Sequence, residues 1–138
     1  MSQRGNGGII FVSSVGAYVG GPYNANYIAS KAFLLNLGTA LHVELKPKGV
    51  DVLVLSPGPT RTEMVDAVGV DFSKVPMNWM KAGTVAAAGL RALGHKSMLV
   101  PGGINKKMVT MMTRFMPRQM ALSMFGSMMS KTMDPSLL

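Results

Sequence analysis

Two short apolar runs constrain the fold of this 138-residue chain more than any other feature. The first is Ile9 to Val12, bounded by glycines and serines, and the second is VDVLVLS at 50–56, which ends at a Pro-Gly-Pro sequence. Both are rich in β-branched residues and apolar without alternation, as is typical of strands buried on both faces of a parallel sheet. The sequence therefore predicts two parallel strands that end in polar, turn-forming residues.

The segments between and after these runs predict the connecting helices. Residues 24–46 contain no proline and place apolar side chains at helical spacing, and Pro47 and Gly49 should end that helix. The alanine-rich 81–94 predicts a second helix, and SMLVPG at 97–102 predicts a third short strand. Alternation of strand and helix is typical of right-handed parallel crossovers. We therefore predict an α/β fold, a partial doubly wound parallel sheet followed by a C-terminal helical extension.

The composition is that of one folded domain. Hydrophobic residues make up 48% of the chain and charged residues 14%, which indicates a core-forming protein. There is no cysteine, and His42 and His95 lie far apart in sequence, so we predict neither a disulfide framework nor a metal site. No apolar run reaches transmembrane length, and the polar start does not resemble a signal peptide, so the predicted location is cytoplasmic.

The net charge of +8 is concentrated towards the C-terminus. Residues 91–138 carry seven basic side chains and one acidic one, so the charge does not predict a nucleic-acid-binding surface. Residues 103–133 hold nine of the 14 methionines, and Pro117 should divide them into two short amphipathic helices. Three interpretations stay open: an adaptable packing surface, a substrate lid, or contact with a membrane surface. We predict a domain at 1–102 and a basic, methionine-rich helical tail at 103–138.

Two tyrosines and a lysine lie near the start of the first predicted helix, in GPYNANYIASKAF at 21–33. Tyr27 and Lys31 are four residues apart, so a helix places them on one face about one turn apart. An ammonium group close to a phenol favours the phenolate, which would let Tyr27 act as a general acid/base near neutral pH. Ser14 follows the first strand, at the sheet edge where ligands bind in open α/β folds.

The second strand ends at the same edge in PGPTRTEM, residues 57–64. Pro57 and Gly58 should turn the chain sharply, and Thr60 and Thr62 offer hydroxyl groups to a ligand. The segment from Thr60 to Glu63 is also a good capping box for a following helix, so the threonines could instead be structural. Both interpretations stay open.

Taken in order, these segments resemble a known family. Ser14, YIASK at 27–31 and LSPGPTRT at 55–62 resemble the C-terminal half of a short-chain dehydrogenase/reductase, and the likeness runs from about Gly5 to Gly102. The resemblance implies a Rossmann-like fold and an oxidoreductase that reduces a carbonyl or oxidises a secondary alcohol. It implies NAD(P) as cofactor, with NADP favoured, although the residues that choose between NAD and NADP are expected outside this sequence.

The resemblance also implies a role for each matched residue. Tyr27 would be the catalytic acid/base, Lys31 would favour its phenolate and bind the nicotinamide ribose, and Ser14 would orient and polarise the substrate oxygen. The predicted catalytic residues are therefore Ser14, Tyr27 and Lys31. The residues predicted to border the nicotinamide end of the cofactor are Tyr27, Lys31, Pro57, Gly58, Thr60 and Thr62.

The nearby hydroxyl residues receive other predicted roles. Ser13 is predicted to be a strand-end residue, Tyr23 to lie on a wall or the surface, and Tyr18 to line the pocket. A small apolar substrate is predicted from the hydrophobic residues of 63–80, which include Met64, Phe72, Met77, Trp79 and Met80.

Several features of a complete family member have no counterpart in the sequence. No glycine-rich turn links a strand to a helix to hold the cofactor pyrophosphate, and no Asn-Ala-Gly segment precedes the serine strand. We therefore expect a truncated form, with an open edge on its first strand, that forms a homo-oligomer only when the full domain is present. The alternative is an inactive fragment or interaction module, with its basic tail on a membrane.

Overall fold

A computed structural model describes residues 1–63 and 78–132 of the chain. Three strands form its main sheet, and all of their pairings are parallel. In spatial order they are β1 (Gly7–Val12), β2 (Val50–Leu55) and β5 (Met98–Leu99). A separate parallel pair consists of β3 (Thr60–Arg61) and β4 (Met80–Lys81). The α/β prediction is confirmed, although β5 is shorter than predicted and the β3–β4 pair was not predicted.

Helices connect and follow these strands. The α-helices bounded within the described residues are α1 (Ala25–Leu45), α2 (Ala82–Ala92), α3 (Gly103–Arg114) and α4 (Arg118–Ser130). A short 3-10 turn, Val15–Tyr18, follows β1. The helix ends predicted at the Pro47–Gly49 segment and near Gly94 are confirmed to within two residues.

The central strand β2 forms the middle of the core. Five of its six residues are buried, and Leu53 and Val54 have no exposed surface. Helix α1 crosses the sheet at Gly38, where an added Cβ atom would lie 2.5 Å from Val54 Cγ2 and 3.0 Å from Phe11 Cδ2. A residue without a side chain therefore lets the helix backbone approach the sheet closely.

The first strand is less buried than predicted. Val12 is 48% exposed, and no residue of β1 is fully buried. The prediction of a strand buried on both faces is therefore wrong. The reason is its position: β1 pairs with β2 in a register from Gly7–Val50 to Val12–Leu55, and no described strand pairs with its other side. Among the described residues, β1 is therefore an edge strand of the sheet.

The C-terminal segment forms two helices that meet at Pro117, as predicted. Met112 of α3 and Ala121 of α4 are buried in one cluster with Val19, against which Met116 packs. The packing role predicted for the methionines is therefore confirmed for Met112 and Met116, whereas the boundary between domain and tail stays a prediction. No helix in the described ranges combines the length and apolar character needed to cross a bilayer.

Part of the predicted substrate surface lies outside the described residues. Met64, Phe72 and Met77 belong to 64–77, whereas Trp79 and Met80 are described and partly buried.

Candidate active site

Ser13 joins the end of β1 to both neighbouring elements. Its backbone N–H donates to the Leu55 carbonyl at 2.8 Å, and its hydroxyl donates to the Lys31 carbonyl of α1 at 2.7 Å. The side chain is only 3% exposed. The prediction that Ser13 is a strand-end residue is confirmed, because its hydroxyl holds helix α1 on the sheet.

Ser14 is fixed by the residues on both sides of it. Ser13 is bonded to α1, and the Val15 N–H donates to the Pro57 carbonyl at 3.0 Å, which ties the turn to the end of β2. The Ser14 hydroxyl accepts a hydrogen bond from the Gly16 N–H at 3.3 Å. A serine hydroxyl keeps its own hydrogen when it accepts a bond, so Ser14 can still donate to a ligand.

The structure brings Tyr27 and Lys31 together in the first turns of α1. The Lys31 Nζ atom lies 5.5 Å from the centroid of the Tyr27 ring, and both residues are half-buried. The intervening Ile28 is 6% exposed and packs against Gly16 and Gly21, which fixes this end of the helix beside the serine turn. The i, i+4 spacing thus gives the contact that it predicts.

Lys31 also reaches the open edge of the sheet. Its Nζ atom donates to the Val12 carbonyl at 3.0 Å. The Ser13 N–H points towards β2, since it donates to the Leu55 carbonyl. Successive residues of a strand direct their backbone groups to opposite sides, so the Val12 carbonyl points away from β2. An ammonium group has three donors, so the bond to Val12 leaves capacity for a ligand hydroxyl.

The turn after β2 uses one of its threonines internally. The Thr60 hydroxyl donates to the Gly58 carbonyl at 2.9 Å, and Thr60 itself lies in β3. The capping-box interpretation is therefore wrong for Thr60, because a strand residue paired with Met80 does not cap a helix. Thr62 is exposed beyond this turn.

Asn105 lies in the site region and was not predicted from the sequence. It is 3% exposed on α3, and its Nδ2 atom donates to the Pro101 carbonyl at 3.3 Å. It packs directly on Gly58, where an added Cβ atom would lie 2.5 Å from Nδ2. The sequence does hold a signal for its burial. Asn105 lies four residues before Val109 and seven before Met112, so all three share one face of α3.

The other two tyrosines lie outside the Tyr27–Lys31 pair. The Tyr18 hydroxyl donates to the Ser56 hydroxyl at 3.3 Å, and its ring packs against the Val19 cluster. Its lining of a substrate pocket stays a prediction. Tyr23 is 52% exposed, so the surface position predicted for it is confirmed.

We expect Ser13→Ala to lower the free energy of unfolding by about 1 kcal/mol, because the partly buried hydrogen bond from the residue after β1 to the Lys31 carbonyl of α1 is lost. Ser30→Ala is the matched control, since the Ser30 hydroxyl also donates to a carbonyl of α1, that of Tyr27, but is exposed. Chemical denaturation of both variants measures the difference. Equal effects would mean that Ser13 does not anchor the helix.

A match to a protein family gives this site its context. The family model described as short chain dehydrogenase matches residues 1–71, which include Ser14, Tyr27, Lys31 and the turn after β2. The chain belongs to the short-chain dehydrogenase family.

Curated relatives resemble this chain over about half of its length. Dehydrogenase/reductase SDR family member 4 of Sus scrofa is 40% identical over 74 residues, which are 54% of this chain and 26% of the relative. Nodulation protein G of Azospirillum brasilense is 42% identical over 72 residues, which are 52% of this chain and 29% of the relative. The chain therefore matches less than a third of these relatives.

Solved structures share the fold over more of the chain. A short chain dehydrogenase from Burkholderia cenocepacia J2315 in complex with NADP is 29% identical with a TM-score of 0.66, covering 80% of this chain and 46% of that one. A structure from work on 7beta-hydroxysteroid dehydrogenase stereoselectivity has a TM-score of 0.78 at 23% identity, covering 91% of this chain and 49% of that one. The chain thus has the fold of about half of a short-chain dehydrogenase.

Proposed function

We propose that the chain supplies the substrate-side half of an NAD(P)-dependent oxidoreductase that reduces a carbonyl or oxidises a secondary alcohol. The observation that carries this proposal is the Lys31 ammonium 5.5 Å from the Tyr27 ring centroid, at the carboxyl end of β1. Ser14 is fixed at the same strand end, between bonds to α1 and to the turn after β2. Membership of the short-chain dehydrogenase family supports the oxidoreductase class.

Tyr27 carries the proton in this proposal. In the reductive direction its hydroxyl gives a proton to the substrate oxygen, which becomes a hydroxyl group, and in the oxidative direction the phenolate takes that proton back. Lys31 carries its positive charge 5.5 Å from the centroid of the Tyr27 ring. Its bond to the Val12 carbonyl holds the lysine side chain beside the ring.

Ser14 orients the substrate oxygen. Its hydroxyl accepts from the Gly16 N–H, which polarises the O–H bond and strengthens it as a donor. A hydrogen bond from Ser14 to the substrate oxygen stabilises the negative charge that develops there before the proton arrives. Serine and tyrosine therefore act on the same oxygen atom from two elements of the fold.

The described residues fit one end of a nicotinamide dinucleotide. When bound, the nicotinamide ring would supply the hydride to the substrate carbon or accept it in the reverse direction. Lys31 would hold the ribose, and the turn at Pro57, Gly58, Thr60 and Thr62 would border the ring. The pyrophosphate end has no counterpart, because the sequence contains no glycine-rich turn between a strand and a helix. Family structures in complex with NADP and with NADPH support the choice of cofactor class.

A substrate class and an oligomeric state are also part of the proposal. The partly buried Trp79 and Met80 support a small apolar substrate. A homo-oligomer is proposed for the complete domain.

The 138-residue chain alone is expected to show no saturable binding of NADPH or NADH at micromolar concentration, because it has no pyrophosphate-binding turn. Fluorescence titration of the purified chain measures this. The control is a chimera in which this chain replaces the matched part of the Burkholderia cenocepacia relative, and we expect the chimera to bind. Saturable micromolar binding by the chain alone would contradict the division of cofactor contacts proposed here.

The open edge of β1 favours a second candidate function, that of a non-enzymatic interaction module. Unpaired backbone groups on a strand edge can pair with a strand of another chain. The chimera separates the two functions, because a folded chimera that binds NADPH but transfers no hydride would favour the interaction module.

A further inference from the structure

Helix α3 carries an apolar stripe on a side that does not face the core. The buried residues of the helix are Asn105, Val109 and Met112. The exposed apolar residues of α3 follow one another at a spacing of four, three and four residues, which keeps their side chains on one face of the helix. These residues and their exposed fractions are Ile104 at 65%, Met108 at 36%, Met111 at 47% and Phe115 at 79%.

Basic side chains flank this exposed stripe. Lys107 precedes Met111 by four residues and Arg114 follows it by three, so both are surface neighbours of the stripe. Both are exposed. The sequence from 103 to 132 contains no aspartate or glutamate, and its basic residues are Lys106, Lys107, Arg114, Arg118 and Lys131.

Helix α4 extends the same combination of exposed methionine and positive charge. Met120 and Met124 are 53% and 45% exposed and are four residues apart. Lys131, the exposed residue directly after α4, follows Met124 by seven residues, which is about two helical turns. We call the segment 103–132, which contains α3 and α4, the methionine hairpin.

We propose that the methionine hairpin binds the surface of an anionic lipid bilayer. An exposed apolar stripe flanked by lysine and arginine is the pattern of helices that lie in the plane of a membrane surface. The apolar side chains would enter the headgroup region, while the long basic side chains extend to the anionic headgroups. This binding does not depend on the proposed oxidoreductase activity.

Charge favours a bilayer over a second copy of this chain. If two hairpins packed against each other, each would place five basic residues and no acidic residue near the same set on its partner. Like charges placed together across an interface oppose association. An anionic bilayer instead offers negative charge and an apolar layer to the same surface.

The test is flotation of the full 138-residue chain with vesicles of phosphatidylcholine alone and of phosphatidylcholine mixed with phosphatidylglycerol. We expect binding to the anionic vesicles that high salt weakens. Phe115→Ser should lower the partition coefficient about tenfold, since the side chain no longer enters the apolar layer. Lys107→Gln and Arg114→Gln should each lower it about fivefold.

Two variants outside the hairpin serve as matched controls. Leu90→Ser removes a 68% exposed apolar side chain from α2, and Lys96→Gln removes an exposed charge. Both should bind vesicles as the unchanged chain does. Absence of flotation with the anionic vesicles, or equal partitioning of Phe115→Ser and the unchanged chain, would overturn the proposal. So would a dimer that Phe115→Ser dissociates while vesicle binding is unchanged.

Discussion

Replacing Tyr27 with phenylalanine is expected to lower the turnover number of the chimera by about 10²–10⁴-fold, the usual contribution of a general acid/base. The phenol is the group proposed to exchange a proton with the substrate oxygen, and the Lys31 ammonium lies 5.5 Å from its ring centroid. Phenylalanine keeps the ring but lacks the hydroxyl group that would exchange the proton. NADPH oxidation with a panel of apolar ketones measures the effect.

Tyr23→Phe is the control for that substitution. Tyr23 lies four residues before Tyr27, but its side chain is 52% exposed and it precedes helix α1. The control should turn over at the unchanged rate. Equal rates for Tyr27→Phe and the unchanged chimera would show that Tyr27 is not the acid/base.

Gly58→Ala is expected to lower the free energy of unfolding of the chain by about 1–3 kcal/mol, the usual cost of overpacking. The added Cβ atom would lie 2.5 Å from Asn105 Nδ2, and the Asn105 side chain is nearly fully buried. The amide cannot withdraw easily, because it also donates to the Pro101 carbonyl. Chemical denaturation measures the change.

A matched glycine and a double variant test the cause of that loss. Gly83 lies in α2 with no atom within 4 Å of an added Cβ, so Gly83→Ala should stabilise the chain by about 0.4–1 kcal/mol. Asn105→Ala removes the amide that the added Cβ atom at position 58 would strike. The double variant of Gly58→Ala with Asn105→Ala should therefore lose less free energy of unfolding than the two single variants lose in sum. Additive losses would mean that Asn105 does not restrict the turn.

Elements with a strong local pattern were predictable from the sequence. The continuous apolar run at 50–56 predicted β2, the proline-free stretch at 24–46 predicted α1, and Pro117 predicted the break between α3 and α4. These features depend on backbone geometry and side-chain period within one segment. The contact of Tyr27 with Lys31 was predictable for the same reason, since it lies within one helix.

Features that depend on contacts between segments were not predictable. The composition of β1 is that of a buried strand, but its exposure depends on which strands lie beside it. The place of Asn105 against Gly58 joins residues 47 positions apart, and no local pattern indicates that pair. The capping-box pattern at Thr60 was overruled by pairing of Thr60 with Met80 in a strand.

Ser14, Tyr27 and Lys31 are proposed to form the proton-transfer site of an oxidoreductase. The most direct test is deuterium transfer to a ketone from NADPH that carries deuterium at both C4 positions of the nicotinamide ring, by the chimera and by a chimera carrying Ser14→Ala, Tyr27→Phe and Lys31→Met. Both proteins must first unfold cooperatively, so that a folding defect is not mistaken for lost chemistry. We predict one deuterium on the alcohol carbon with the first protein and none with the second. Equal deuterium incorporation by the two proteins would contradict the claim.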